Sequence, residues 1–246
     1  MIMKHIFFAI LILVPLIGFS QKTYLNNRYL MERIQNNRDM LTGNSGIINT
    51  LAPAAPGVVG DAFLNPSFSE STLLLFDGER ILQGYEAKYD ILKDDFYLMH
   101  RNTIRVLAGA AVRNFSMTDS LTGQRRFYIS GKLLKDSKGT ELSGFYEVIV
   151  DGPSALLKKT TAVVKEADFH PALNVGSKDH RVIKSASYHY CIDNVVQKMP
   201  SAKNIGIVFP QQPEPMVSFL KNNYLSLKEE KDLKRLFEHY NTLHKE

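Results

Sequence analysis

From Tyr85 to Ile91 hydrophobic and polar positions alternate without a break. Tyr85, Ala87, Tyr89 and Ile91 fall on one side, and Glu86, Lys88 and Asp90 on the other. A period of two describes a strand with one dry and one wet face. Comparable apolar or alternating segments occur at residues 73–76, 96–99, 103–107, 112–117, 126–134, 142–150, 155–164, 187–192 and 195–198. Between them lie turn-forming residues: Asp77-Gly78, Asp94-Asp95, Arg101-Asn102, Asp119 to Gly123, Lys135 to Gly139, Asp151-Gly152-Pro153 and Asp193-Asn194. Asp, Asn and Gly favour such places because they tolerate positive φ or hydrogen-bond their own backbone. A strand about every ten residues is the spacing of an antiparallel meander. The absence of long helical patterns between the strands argues against a parallel α/β sheet.

The pattern changes at both ends. Residues 23–41 have helical character, with Leu25, Tyr29, Leu30 and Ile34 near one face. Residues 50–60 (TLAPAAPGVVG) carry two prolines and two glycines and read as an extended linker. In the last fifth, Ser201 is placed to cap a short helix carrying Ile205, Val208 and Phe209. Pro215 suits the first turn of a second helix, with Met216, Phe219 and Leu220 on one face. Ser226 and Glu229 have the spacing of a capping box, after which Leu233, Leu236, Phe237, Tyr240 and Leu243 recur at helical intervals. These readings give a mainly β chain with a helical C-terminus (α+β). The expected architecture is an antiparallel β-meander, a curved sheet or half-open barrel packed by the C-terminal helices.

The extreme N-terminus is a targeting signal by pattern. Lys4 precedes an uncharged run from Ile6 to Phe19, and Gly18 and Ser20 offer small residues before Gln21. The run falls short of the roughly 20 residues that span a bilayer as a helix. Gln21 stands where a lipoprotein would need cysteine, and the only cysteine is Cys191. The expected division is signal peptide 1–20, helix and linker 21–59, β domain 60–200 and C-terminal helices 201–246. The mature chain has no expected transmembrane span and is secreted or periplasmic.

Composition narrows the chemistry. Hydrophobic residues at 44% and charged residues at 22% suffice for a packed core. One cysteine excludes an intramolecular disulfide framework and a thiolate-rich metal site. Net charge is +5, or +4 once Lys4 leaves with the signal, and no block of five like charges occurs. That balance and the absence of a nucleic-acid-binding motif argue against nucleic acid as partner.

The sequence assigns no catalytic, cofactor-binding or metal constellation. His170, His180 and His189 are spaced at ten and nine residues, without the close pair of a zinc site. His239 and His244 are five apart on a helix, hence on different faces. Asp90, Asp94 and Asp95 crowd one turn but lack the glycine and terminal glutamate of a calcium loop. Cys191 shares a strand face with His189, which could activate a thiol, but a packed strand cysteine is the favoured reading. Paired carboxylates could be distant in sequence. Glu147, between Tyr146 and Val148, is expected to face solvent on a one-sided sheet. Fourteen Phe and eleven Tyr with no Trp mark the strands as aromatic-rich. Tyr85, Tyr89, Tyr97, Tyr128, Tyr146, Tyr188 and Tyr190 are expected in cross-strand packing, or else lining a concave face.

The segments GDAFLNPSF (residues 60–68), LLLFDGERILQGYEAKYDILKDDF (73–96) and FYEVIVDGPSALLKK (145–159), then a Tyr-rich strand and a Lys/Glu-rich helix ending FEHYN, form a recognisable order. In that order the chain resembles uncharacterised exported proteins of Bacteroidota-type bacteria, over residues 60–241. The resemblance implies a β-sheet domain with C-terminal helices in the cell envelope, and no activity.

The functional expectation is an exported cell-envelope protein, a non-enzymatic binding or interaction module. Its partner would be an envelope protein, a polysaccharide or a lipid-like ligand. The alternatives are a carrier or sensor holding an apolar ligand in a half-open β-barrel, and a hydrolase. The exported chain is expected to begin at Gln21. Intact-mass measurement or N-terminal sequencing of secreted material checks this, and a chain still beginning at Met1 would contradict it.

Overall fold

The computed structural model describes residues 47–48, 58–77, 80–100, 103–170 and 172–243. The signal run, the expected N-terminal helix, most of the linker, Gly78, Arg101-Asn102 and His244 lie outside them. Twelve strands form one sheet: β1 (Ile47–Ile48), β2 (Val58–Val59), β3 (Ser69–Leu75), β4 (Ile81–Asp90), β5 (Asp95–His100), β6 (Thr103–Ala108), β7 (Val112–Thr118), β8 (Arg125–Ser130), β9 (Phe145–Val150), β10 (Ala155–Lys165), β11 (His180–Ile192) and β12 (Val195–Lys198). Two α-helices follow, α1 (Pro213–Asn222) and α2 (Glu230–Leu243). The architecture is mainly β with helices packed at the C-terminal end, as the strand and helix patterns predict.

The hydrogen-bonding order is β1-β6-β5-β4-β3-β7-β8-β9-β10-β11-β12, with β2 added in parallel to β11. The meander therefore runs in two legs, β3 to β6 and β7 to β12, joined where β7 pairs with β3. This junction curls the sheet. β6 and β7 stand four strand spacings apart in that order, about 19 Å if the sheet were flat. Only Gly109–Ala111 connects them, and four Cα steps reach about 14 Å at most. The first leg must therefore fold over the second. β4 bends to serve both layers: residues 81–87 pair with β3 and residues 86–90 with β5. Gly109 permits the tight return, because a Cβ there would lie 2.3 Å from the Asp94 carboxylate. The sheet is curved and not closed.

The space between the layers is filled. Tyr89, Phe96, Phe115 and Phe145 meet at ring-centroid distances of 4.8 to 6.0 Å, and Tyr128 stacks on Phe115 at 4.4 Å. Leu73, Leu82, Ala87, Leu98 and Met117 complete this core. A second core lies farther along the same sheet face, where Val150, Leu156 and Tyr190 pack against Phe209, Met216, Leu220, Leu233, Leu236, Phe237 and Tyr240. On the opposite face Ile129, Tyr146, Val148, Leu157, Cys191 and Val196 are covered by Leu134 and its loop. The sheet is thus buried on both sides over β9 and the parts of β10 and β11 nearest it (155–157 and 190–191), not on one side as the alternation alone predicts.

Local differences have local causes. Residues 131–133, expected to prolong a strand, form a 3-10 turn because Gly131 comes too close to the Leu142 carbonyl for any side chain. Asp90, expected on the wet face, is buried and accepts the amides of Leu92 and Lys93 to close its turn. Asp193 and Asn194 both adopt positive φ, as a two-residue hairpin requires. Ser201 precedes a 3-10 helix (Ala202–Val208) without a side-chain cap. At α2 the acid that reaches back is Asp232, not Glu229: its carboxylate accepts the Ser226 amide at 2.9 Å. Among the described residues no helix is long and apolar enough to cross a membrane.

Candidate functional site: a charged seam, an open cleft and a projecting arm

A single cross-strand rung organises the centre of the sheet. Leu82, Leu73, Phe115, Tyr128, Glu147, Lys158 and Tyr188 are successive partners across seven strands, β4 to β11 in spatial order. Directly paired residues share a face, so the rung passes from the aromatic core to the helix-covered core. Glu147 and Lys158 occupy the seam between them.

Glu147 is buried, at 6% exposure, which corrects the expectation of a solvent-facing acid. Its neighbours make the burial tolerable. Arg126 donates to its carboxylate at 2.7 Å and contacts Asp119 at 2.8 Å. Lys158 lies 4.0 Å from Glu147 on the other side and donates to Glu230 at 2.7 Å. Tyr188 donates to the same Glu230 oxygen at 3.0 Å. The ionic row Asp119–Arg126–Glu147–Lys158–Glu230 thus crosses β8, β9 and β10 and ends on the first residue of α2. An acid at a helix N-terminus also suits the helix dipole.

Burial dominates the Glu147 carboxyl and raises it above the usual range despite Arg126. Burial also acts to raise Glu230, but Lys158 and Tyr188 outweigh it and hold that carboxyl below its ordinary value. For Asp119 burial is again outweighed, here by the Thr122 and Leu121 amides and by Arg126, and the net direction is down.

Beside the seam lies an open cleft of about 300 Å³, walled in part by Leu64, Ile91, Phe145, Tyr128 and Thr160. Lys159 and the Tyr89–Asp94 pair face one another in it. Tyr89 donates to Asp94 at 2.7 Å, and Asp94 takes positive φ to present its carboxylate there. Lys159 Nζ donates to the Ser143 carbonyl and lies 4.4 Å from the centre of the Tyr146 ring. Burial pushes this ammonium down to about 8, partly opposed by Asp94.

The third feature is an arm. β10 and β11 pair over eleven rungs, from Ala155 opposite Cys191 to Lys165 opposite Arg181. β9 covers β10 only from Leu156 to Lys158, and β12 covers β11 only from His189 to Ile192. The ribbon therefore continues past the body by about 20 Å, with β2 alongside its far end. Val163, Val164 and Ile183 are exposed along it, and Val59, Leu173 and Val175 near its tip.

The sequence candidates scatter over these features. His170 and His180 lie on the exposed arm, and His180 accepts the Ala167 amide at 3.3 Å. His189 sits beside Tyr146, where burial lowers its ring. Among the described residues no three His, Cys, Asp or Glu side chains converge as metal ligands. Cys191 is buried, and burial pushes its thiol up to about 12, which keeps it protonated. His239 stacks on Phe219 at 3.8 Å. Asp136 and Asp151 serve turns by accepting nearby amides. Tyr97, Tyr146 and Tyr190 pack in cores, Tyr89 and Tyr128 do so while also bordering the open cleft, and Tyr188 joins the ionic row. In the sequence Arg125-Arg126 and Lys158-Lys159 stand only as isolated like-charge pairs, and Glu230 carries no signal. The adjacent lysines in an otherwise apolar strand were the visible signal.

No family model, no curated protein and no solved structure matches this chain.

The Glu230 interaction has a defined pH signature. Its folded carboxyl is depressed, so its stabilisation is present above the ordinary value of about 4.3 and is lost as pH falls through the folded value. Wild type should exceed Glu230→Gln in urea stability by up to about 1 kcal/mol at neutral pH, with the gap closing by pH 3. An equal gap at both pH values would contradict the assignment.

Proposed function

We propose that this chain is an exported cell-envelope protein that acts as a binding module, taking an extended acidic segment of a protein partner along the outer edge of β10. The observation that carries this reading is the β10 edge itself. Among the described residues no strand pairs beyond Lys158 with the edge of β10 that faces away from β11, so along residues 159–165 the backbone donors and acceptors of that edge are unpaired. Such an edge is a template for an added strand. The arm already accepts one addition, since β2 joins β11 in parallel at His180 and Arg181.

The side chains favour one class of occupant. β10 reads ALLKKTTAVVK, with three lysines and no acid. Antiparallel self-pairing centred on Ala162 would set Lys159 of each copy opposite Lys165 of the other, and like charges directly opposed are destabilising. An acidic strand with alternate apolar residues instead avoids that opposition, setting its acids on the face of Lys165 and its apolar side chains on the face of the exposed Val164. A carrier of apolar ligands would need a hollow between the layers, where Phe96, Phe115 and Phe145 stand.

The test is hydrogen–deuterium exchange of the whole chain with a ten-residue peptide of alternating Glu and Val, and with a Lys–Val control. Slowed exchange confined to residues 159–165 with the Glu–Val peptide alone is the expected result. Unchanged exchange there, or equal protection by both peptides, would overturn the reading.

A further inference from the structure

Lys159 stands where the sheet body stops and the arm begins. Because β9 ends its pairing at Lys158, the Lys159 side chain can bend past the start of β9. Its nitrogen reaches the Ser143 carbonyl and the Tyr146 ring. Gly144 makes the approach possible: it has φ of +62°, and a Cβ there would lie 2.8 Å from Lys159 Nζ and 3.5 Å from the Tyr89 hydroxyl. The amine and the phenol therefore border the same small space. The neighbouring acids are engaged elsewhere, Glu147 by Arg126 and Glu230 by Lys158, while Asp94 accepts from Tyr89. Lys159 thus faces an open cleft with a backbone carbonyl and a ring as its partners, an arrangement unlike the surface lysines of the arm, where Lys165 and Lys184 pair with Asp168 and Asp61.

We propose that Lys159 is a reversible covalent capture site for a small, uncharged, hydroxylated aldehyde or ketone held in this cleft. The class follows from the walls. The cleft holds about 300 Å³, and Ser143, Thr160 and Thr161 stand on its lining beside Leu64, Ile91 and Phe145, so it suits a short molecule with both hydroxyl and carbon surface better than a long alkyl chain. Asp94, which is not neutralised by an ion pair with Lys159, disfavours an anion. In the reaction the lone pair of the neutral amine forms a C–N bond as the carbonyl π pair moves to oxygen. A proton passes from nitrogen to that oxygen, giving a carbinolamine. Loss of the hydroxyl as water and of the remaining N–H proton leaves the imine, with no oxidant or reductant consumed. The Tyr89–Asp94 pair supplies a proton acceptor on the facing wall.

Desolvated lysines are effective nucleophiles because a larger fraction is unprotonated near neutral pH. The groups that face this amine are Asp94, Tyr89, Tyr146 and His189, while Lys158, next in the chain, points to the other face of the sheet. Of these Asp94 partly restores the proton, and His189, lowered by its own burial, is neutral in the relevant range.

The experiment treats the full chain with glyceraldehyde and cyanoborohydride, which reduces the imine to a stable secondary amine, and maps the product by peptide mass. Lys159 is expected to label about tenfold or more faster than Lys165 and Lys184 at pH 7.5. Its rate should level off above pH about 8. Lys159→Arg, which keeps a cationic donor for the Ser143 carbonyl, should remove the fast-labelled peptide and leave the slow ones unchanged. Labelling of Lys159 at or below the rate of the arm lysines would overturn the proposal, as would a fast site that persists in Lys159→Arg.

Discussion

A carboxylate buried in the middle of a β-sheet constrains everything around it. Glu147 sits between two apolar cores with Arg126 at 2.7 Å and Lys158 at 4.0 Å. Removing such a group from water is costly unless charge and hydrogen bonds replace the lost solvent. The partners come from the two flanking strands, so the compensation exists only in one register. A one-residue slip of β9 would send Glu147 to the opposite face, among Ile129, Val148 and Leu157. The same row ends on Glu230, which ties the start of α2 to β10. One ionic row thereby sets strand register and helix position together.

The two cores on either side depend on that seam in different ways. The aromatic core is closed by geometry: the short link between β6 and β7 forces the first leg over the second, and the rings of Phe96, Phe115 and Phe145 fill the gap. The second core is closed by the helices, whose apolar faces meet Val150, Leu156 and Tyr190. Where both covers stop, the sheet does not. β10 and β11 continue as the arm, and the cleft holding Lys159 opens at the point of departure. The candidate features for recognition thus lie at the margin of the packed body, where backbone and side chains are no longer fully engaged by the fold itself.

Much of this was legible in the sequence, and the illegible part has a physical pattern. Strand positions followed from alternation and turn residues, and 195–198 was placed without error because Asp193-Asn194 supplies a positive-φ pair. The C-terminal helices followed from their apolar spacing. The pairing of β7 with β3 did not, since a period of two carries no information about which strand is the neighbour. Glu147 was misplaced for a related reason. One acid in an apolar strand looks solvent-facing until its partners are known, and Arg126 and Lys158 come from different strands, 21 and 11 residues away. The Lys158-Lys159 pair is visible in the sequence, but the setting of Lys159 is not, because it is made by Gly144, Ser143 and Tyr89, which only the curled sheet brings together.

The central claim is that Arg126 and Glu147 are tolerated as a pair and not separately. Urea unfolding of Arg126→Met and of Arg126→Met/Glu147→Leu tests it most directly. The account predicts that the single variant loses about 3–5 kcal/mol because it strands a buried carboxylate, and that the double variant regains most of that loss. A single variant within about 0.5 kcal/mol of wild type, or a double variant no better than the single, would contradict it.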